Sequence, residues 1–173
     1  MSWRAPRADF AQVAALGDAL GLPEPVAWAL VRRGLADPAA AREFLAADGP
    51  LAPPEDLAGI AEAADRLARA VRRGEQIAVH GDYDCDGVSS TAILLSALRG
   101  RGARVEAFLP SRFAEGYGVA ESTVERLADG GARLLVCVDC GTSAVEALTR
   151  AAELGVETIV LDHHLAGPGR GWR

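Results

Sequence analysis

The chain has 173 residues, half of them apolar, with a formal net charge of −6. That length can bury a real core, as one domain with room for an accessory element. No apolar run approaches the ~18 residues that cross a bilayer, no secretory leader pattern opens the chain, and the acidic balance argues mildly against indiscriminate binding to polyanions. The three cysteines, Cys85, Cys137 and Cys140, are an odd number without secretory context, which argues against a disulfide framework. A soluble cytoplasmic protein is expected.

Residues 1–54 read as short helices divided by prolines, over Phe10–Leu20, Pro25–Arg33 and Ala39–Leu45, ending in the helix-breaking run Asp48-Gly49-Pro50-Leu51-Ala52-Pro53-Pro54. Leu57, Ile60, Ala61, Ala64, Leu67, Ala68 and Val71 then recur at helical spacing, which predicts an amphipathic helix to Arg73. Glu62–Arg66 and Asp65–Arg69 are expected as outer-face pairs, with Gly74 as the stop. Beyond it, short apolar runs predict strands at Ile77–His80, Arg104–Leu109, Leu134–Val138 and Thr158–Leu161. Helices are predicted over Val88–Arg99, Ala120–Asp129 and Ser143–Leu154. This alternation predicts an α/β domain over 55–173, a doubly wound, mostly parallel sheet with flanking helices. A short helical segment precedes it.

Ligands in such sheets bind at the carboxyl ends of the strands, and three predicted strands end on metal-binding residue types. The first end carries His80-Gly81-Asp82-Tyr83-Asp84-Cys85-Asp86, the second Asp139 and the third Asp162-His163-His164. Carboxylates this dense repel one another unless a cation neutralises them. Oxygen-rich sites with a nearby histidine suit Mg²⁺ or Mn²⁺. A single strand-end aspartate often does no more than cap a helix; three such ends, two with histidine, call for a further explanation. Cys137-Val138-Asp139-Cys140 is formally C-x-x-C, but Cys137 is expected inside a strand and Asp139 has a better use as a ligand.

Asp162-His163-His164 resembles the motif that names the DHH phosphoesterase superfamily. His80-x₃-Asp84-x-Asp86, with Ser90 beyond it, resembles the first motif of that superfamily, and Val138-Asp139 the second. Gly81–Gly87, Asp139-Cys140-Gly141-Thr142-Ser143 and the loop Pro110–Gly118 resemble its branch of single-strand-specific exonucleases. The resemblance implies two Mn²⁺ or Mg²⁺ ions and in-line attack of an activated water on a phosphodiester. Carried onto this sequence, Asp139 would bridge the ions, His80 and Asp84 would hold one, and Asp86 and His163 the other. Asp82 would be a ligand or would orient one, and His164 would contact the scissile phosphate or assist protonation of the leaving oxygen. It also implies a monomer that degrades single-stranded DNA from a 5′ end in repair and recombination; other protein partners are not legible.

Ser89, Ser90 and Thr91 are expected near a helix start, where free amides favour an anion or where they merely cap. Arg112 could hold a DNA phosphate while Tyr117 or Phe113 stacks on a base. The family pattern includes a fourth motif with another aspartate ligand and a further domain, neither of which the residues after His164 supply, so weak activity is expected of these 173 residues. A phosphoesterase of short oligonucleotides, cyclic dinucleotides or pyrophosphate, or a non-catalytic binding module on this fold, are the alternatives.

Overall fold

Two compact units make up the chain, Met1–Pro54 and Glu55–Arg173. The computed structural model describes residues 9–49, 51–111 and 118–165. In the first unit, α1 (Phe10–Leu20), α2 (Glu24–Arg32) and α3 (Pro38–Ala46) enclose Val13, Leu16, Ala27, Leu30 and Ala41. Asp9 and Asp37 cap α1 and α3 by accepting from backbone amides.

The second unit runs α4 (Ile60–Arg73), β1 (Gln76–His80), α5 (Cys85–Arg99), β2 (Arg104–Phe108), α6 (Glu121–Asp129), β3 (Ala132–Val138), α7 (Val145–Glu153) and β4 (Glu157–Leu161). The four strands are parallel in the order β2-β1-β3-β4. From β1 the chain adds β2 on one side, then crosses back to place β3 on the other, so strand order reverses between β1 and β3. That reversal opens a crevice at the carboxyl ends, the usual ligand position of a doubly wound sheet.

Alternation along the strands feeds two cores. Ile77, Val79, Leu134, Val136, Val138 and Ile159 pack with residues of α4 and α5 on one face. Ala78, Leu135 and Cys137 pack with residues of α6 and α7 on the other. Both faces of β1 and β3 are covered, which explains their nearly unbroken apolar runs.

The helix predicted from Leu57 starts at Ile60, because a 3-10 turn at Pro54–Asp56 and the left-handed Gly59 precede it. Its inward face runs through Ala63, Leu67, Ala70 and Val71, while Ala61, Ala64 and Ala68 are exposed. Arg66 is not on the outer face. It is buried, with Nη2 donating to Glu75 at 2.8 Å and Nε to Glu157 at 2.9 Å, so its partners are distant carboxylates rather than Glu62. Among the described residues no helix is long and apolar enough to cross a membrane.

Candidate metal centre

Register brings the strand ends together. His80 pairs with Cys137 across β1–β3, and Val138 with Leu161 across β3–β4, so the residues that follow these strands emerge side by side. Asp139 leaves β3 with φ +60, its N–H donating to the Leu161 carbonyl at 2.8 Å. That left-handed conformation costs a non-glycine residue about 1 kcal/mol or more, and strain of this kind gathers at functional sites. Gly141, two residues on, has φ +110, and a Cβ there would press on Cys137 and Val160. The turn after β3 therefore needs glycine to lie this close to the sheet.

Two groups of possible ligands form among the described residues: Asp82, Asp84 and Asp139, and Asp139, His163 and His164. Within each, the ligand atoms lie within 4.8 Å of one another, and Asp139 belongs to both. Asp139 Oδ1 lies 3.1 Å from His163 Nε2, while its buried Oδ2 has no protein partner. Burial, with the charge of Asp84 beside it, pushes the Asp139 carboxyl above the usual carboxylate range. Asp84 sits below that range, because Oδ1 accepts from the amides of Gly87 and Asp86, both at 3.0 Å.

Asp84 is thus the cap of α5, which begins at Cys85 and not at Val88. Ser89 and Ser90 consequently lie in the second turn, past the free amides of the helix start. The cap position there is already filled by a carboxylate. What these serines offer is their hydroxyls. Thr91 is buried, its Oγ1 without a partner. Gly87 sits so tightly against the backbone of Asp82 that no Cβ fits between them.

His80 is fully buried under the loop and belongs to neither group. Its ring meets that of Phe108 at a tilt, centroids 5.2 Å apart, Nδ1 lies 3.6 Å from Cys140 Sγ, and Nε2 has no partner. Asp86 is exposed on the first turn of α5, also outside both groups. Arg112 and Tyr117 lie outside the described residues. Cys137 and Cys140 are both buried; their mutual hydrogen bond holds the Cys140 thiol down and lifts that of Cys137.

The motif at the end of β4 divides its labour. Asp162 accepts from the Thr142 amide at 3.0 Å and from His164, through the backbone N–H at 3.1 Å and at Nδ1 at 2.8 Å. Burial works against its charge, but those hydrogen bonds win and hold Asp162 at about 2. The Asp162 carboxylate in turn raises His164. Sequence reading gave Asp162 no role of its own; the signal was there in a lone carboxylate at a strand end facing a Gly-Thr-Ser turn. A cavity of about 470 Å³ opens beside it, lined by Gly141, Thr142, Ser143, Glu146 and His164 among others.

The residues fit a cation. A buried carboxylate oxygen of Asp139 stands without a partner in a cluster with Asp82 and Asp84, and oxygen-rich donors with histidine suit Mn²⁺ or Mg²⁺. A parallel doubly wound sheet whose strand-order reversal carries aspartates and histidines makes a candidate divalent-cation site. The family described as "DHH family, N-terminal domain" matches residues 76–170, and the chain belongs to that family.

Within it, the similarity is to RecJ. The single-stranded-DNA-specific exonuclease RecJ of Bacillus subtilis is 39% identical over 169 residues, covering 97% of this chain and 22% of that protein. RecJ of Thermus thermophilus is 46% identical over 111 residues, 64% of this chain and 16% of its own. The chain therefore spans about a fifth of the length of the curated relatives it matches. Among solved structures, exonuclease RecJ bound to manganese aligns with TM-score 0.64 and 44% identity over 70% of this chain and 31% of that one. RecJ of Thermus thermophilus in complex with Mn²⁺ aligns with TM-score 0.61 and 36% identity, over 94% of this chain and 22% of that one.

Proposed function

We propose that this chain carries metal-binding residues of a RecJ-type exonuclease, a hydrolase that shortens single-stranded DNA from its 5′ end in DNA repair and recombination. One observation carries the reading. Asp139, strained and buried, is shared by two ligand groups and keeps one oxygen unpaired. A carboxylate so placed suits a bridge between two cations. Asp82 and Asp84 would hold the first ion with it, His80 adding its unpaired Nε2. His163 would hold the second, with Asp86 near at hand in sequence.

Divalent ions bound there supply positive charge to a phosphate and lower the pKa of a water. The chain's own groups do the rest. Asp139 orders the two positions relative to each other, and His164, held by Asp162, would contact the scissile phosphate or protonate the leaving oxygen. Ser89, Ser90 and Arg112 would hold phosphates along the strand, and Tyr117 would stack on a base.

The test is single-turnover cleavage with Mn²⁺, comparing 5′-labelled single-stranded DNA, duplex DNA, dinucleotides and cyclic dinucleotides. Mononucleotide release from the labelled end, abolished by Asp139→Ala, is expected. Preference for dinucleotides or cyclic dinucleotides would replace the exonuclease reading with a small-substrate phosphoesterase. Cleavage unchanged in Asp139→Ala would refute the assigned site.

A further inference from the structure

We propose that Asp162 is a positioning residue, neither metal ligand nor catalytic group, which fixes the tautomer of His164 so that the ring offers Nε2 to the metal centre. The inference deepens the function proposed above and rests on it.

Asp162 belongs to neither ligand group, although His163 and His164 both belong to one. Its side chain is 2% exposed, and both of its oxygens meet protein donors. Oδ2 takes the Thr142 amide at 3.0 Å, tying the turn after β3 to the end of β4. Oδ1 takes the backbone amide of His164 at 3.1 Å and lies 2.8 Å from Nδ1 of the same residue. A carboxylate that already accepts from two amides can only accept at the third contact, so the ring must donate from Nδ1. The neutral ring then carries its lone pair on Nε2. The His164 ring packs on that of His163, centroids 4.6 Å apart, and His163 is itself held by Asp139 at 3.1 Å. The same placement of the His164 ring thus bonds Asp162 and packs on His163. A carboxylate behind a histidine is the usual device for setting which ring nitrogen faces a site.

The experiment is nitrogen-15 NMR of the histidine rings in the metal-free 173-residue chain at mildly alkaline pH, followed by Mn²⁺ titration of the same samples. His164 in the wild type is expected in the Nδ1–H tautomer, with a slowly exchanging Hδ1. Asp162→Ala should turn it into a mixture of tautomers, leaving the far-ultraviolet circular dichroism unchanged. A wild-type ring protonated on Nε2, or an Asp162→Ala ring still held as Nδ1–H, overturns the proposal. If Asp162→Ala does not fold, the wild-type tautomer and its Hδ1 exchange decide alone. A wild type that binds no Mn²⁺ would refute the metal reading while leaving the tautomer measurement to judge Asp162 separately.

Discussion

Replacing Asp139 by asparagine should make the metal-free protein more stable and the metal-loaded protein less so. Asp139 is 5% exposed, and its Oδ2 has no partner. An unsatisfied buried acceptor costs about 1–3 kcal/mol, and more when charged. Asparagine keeps the size, tolerates the left-handed backbone and can still pair with His163, but it removes a charge facing Asp82 and Asp84. A gain of about 1 kcal/mol follows for the metal-free form, or a rise in Tm of about 4 °C for a domain of this size. With Mn²⁺ at ~100 times its Kd the wild type gains about 2.7 kcal/mol, whereas the variant, lacking the shared ligand, should gain almost nothing. Thermal unfolding with and without Mn²⁺ should therefore show the two proteins exchanging rank. Destabilisation of Asp139→Asn in both conditions would mean that the residue serves the fold, and equal stabilisation by Mn²⁺ would mean that it binds no metal.

Arg66→Ala should cost about 1–3 kcal/mol, read by urea unfolding, because it takes from Glu75 its partner at 2.8 Å and leaves it Arg73 at 3.8 Å. Glu157 is exposed and loses less, and Arg66→Lys should restore only part, since a single ammonium cannot span both carboxylates. Gly87→Ala, which in an ordinary helix would stabilise by about 1 kcal/mol, should instead destabilise by about 1–3 kcal/mol through its collision with the Asp82 backbone. The same substitution should weaken Mn²⁺ binding in calorimetry; an increase in stability would show that Asp82 is not held there.

The sheet was legible because β1 and β3 are covered on both faces, so their apolar runs stand out against the polar turns that follow. β2 was legible too, although its side chains are mostly exposed, since glycine and proline bound it. Helix starts were less legible. Asp84 caps α5 through its side chain and pulls the start to Cys85, while Gly59 delays α4. Periodicity alone could not find Arg66, whose burial depends on Glu157 at the far end of the sequence. For the site, residue types and strand ends named Asp82, Asp84, Asp139, His163 and His164 as neighbours. They could not show that Asp84 spends one oxygen on a cap, that His80 packs against Phe108 and Cys140, or that Asp162 bonds Thr142 and His164. Those features depend on register and on the left-handed turn at Asp139, which no local pattern encodes.

The role proposed for Asp139 is one carboxylate serving two ions, and Mn²⁺ stoichiometry tests it most directly. Calorimetry on the wild type should find two ions bound, with electron paramagnetic resonance showing them magnetically coupled. His163→Ala and Asp84→Ala should each lose one ion, and Asp139→Ala should lose both. An Asp139→Ala protein that still binds one ion at wild-type affinity would contradict the bridge.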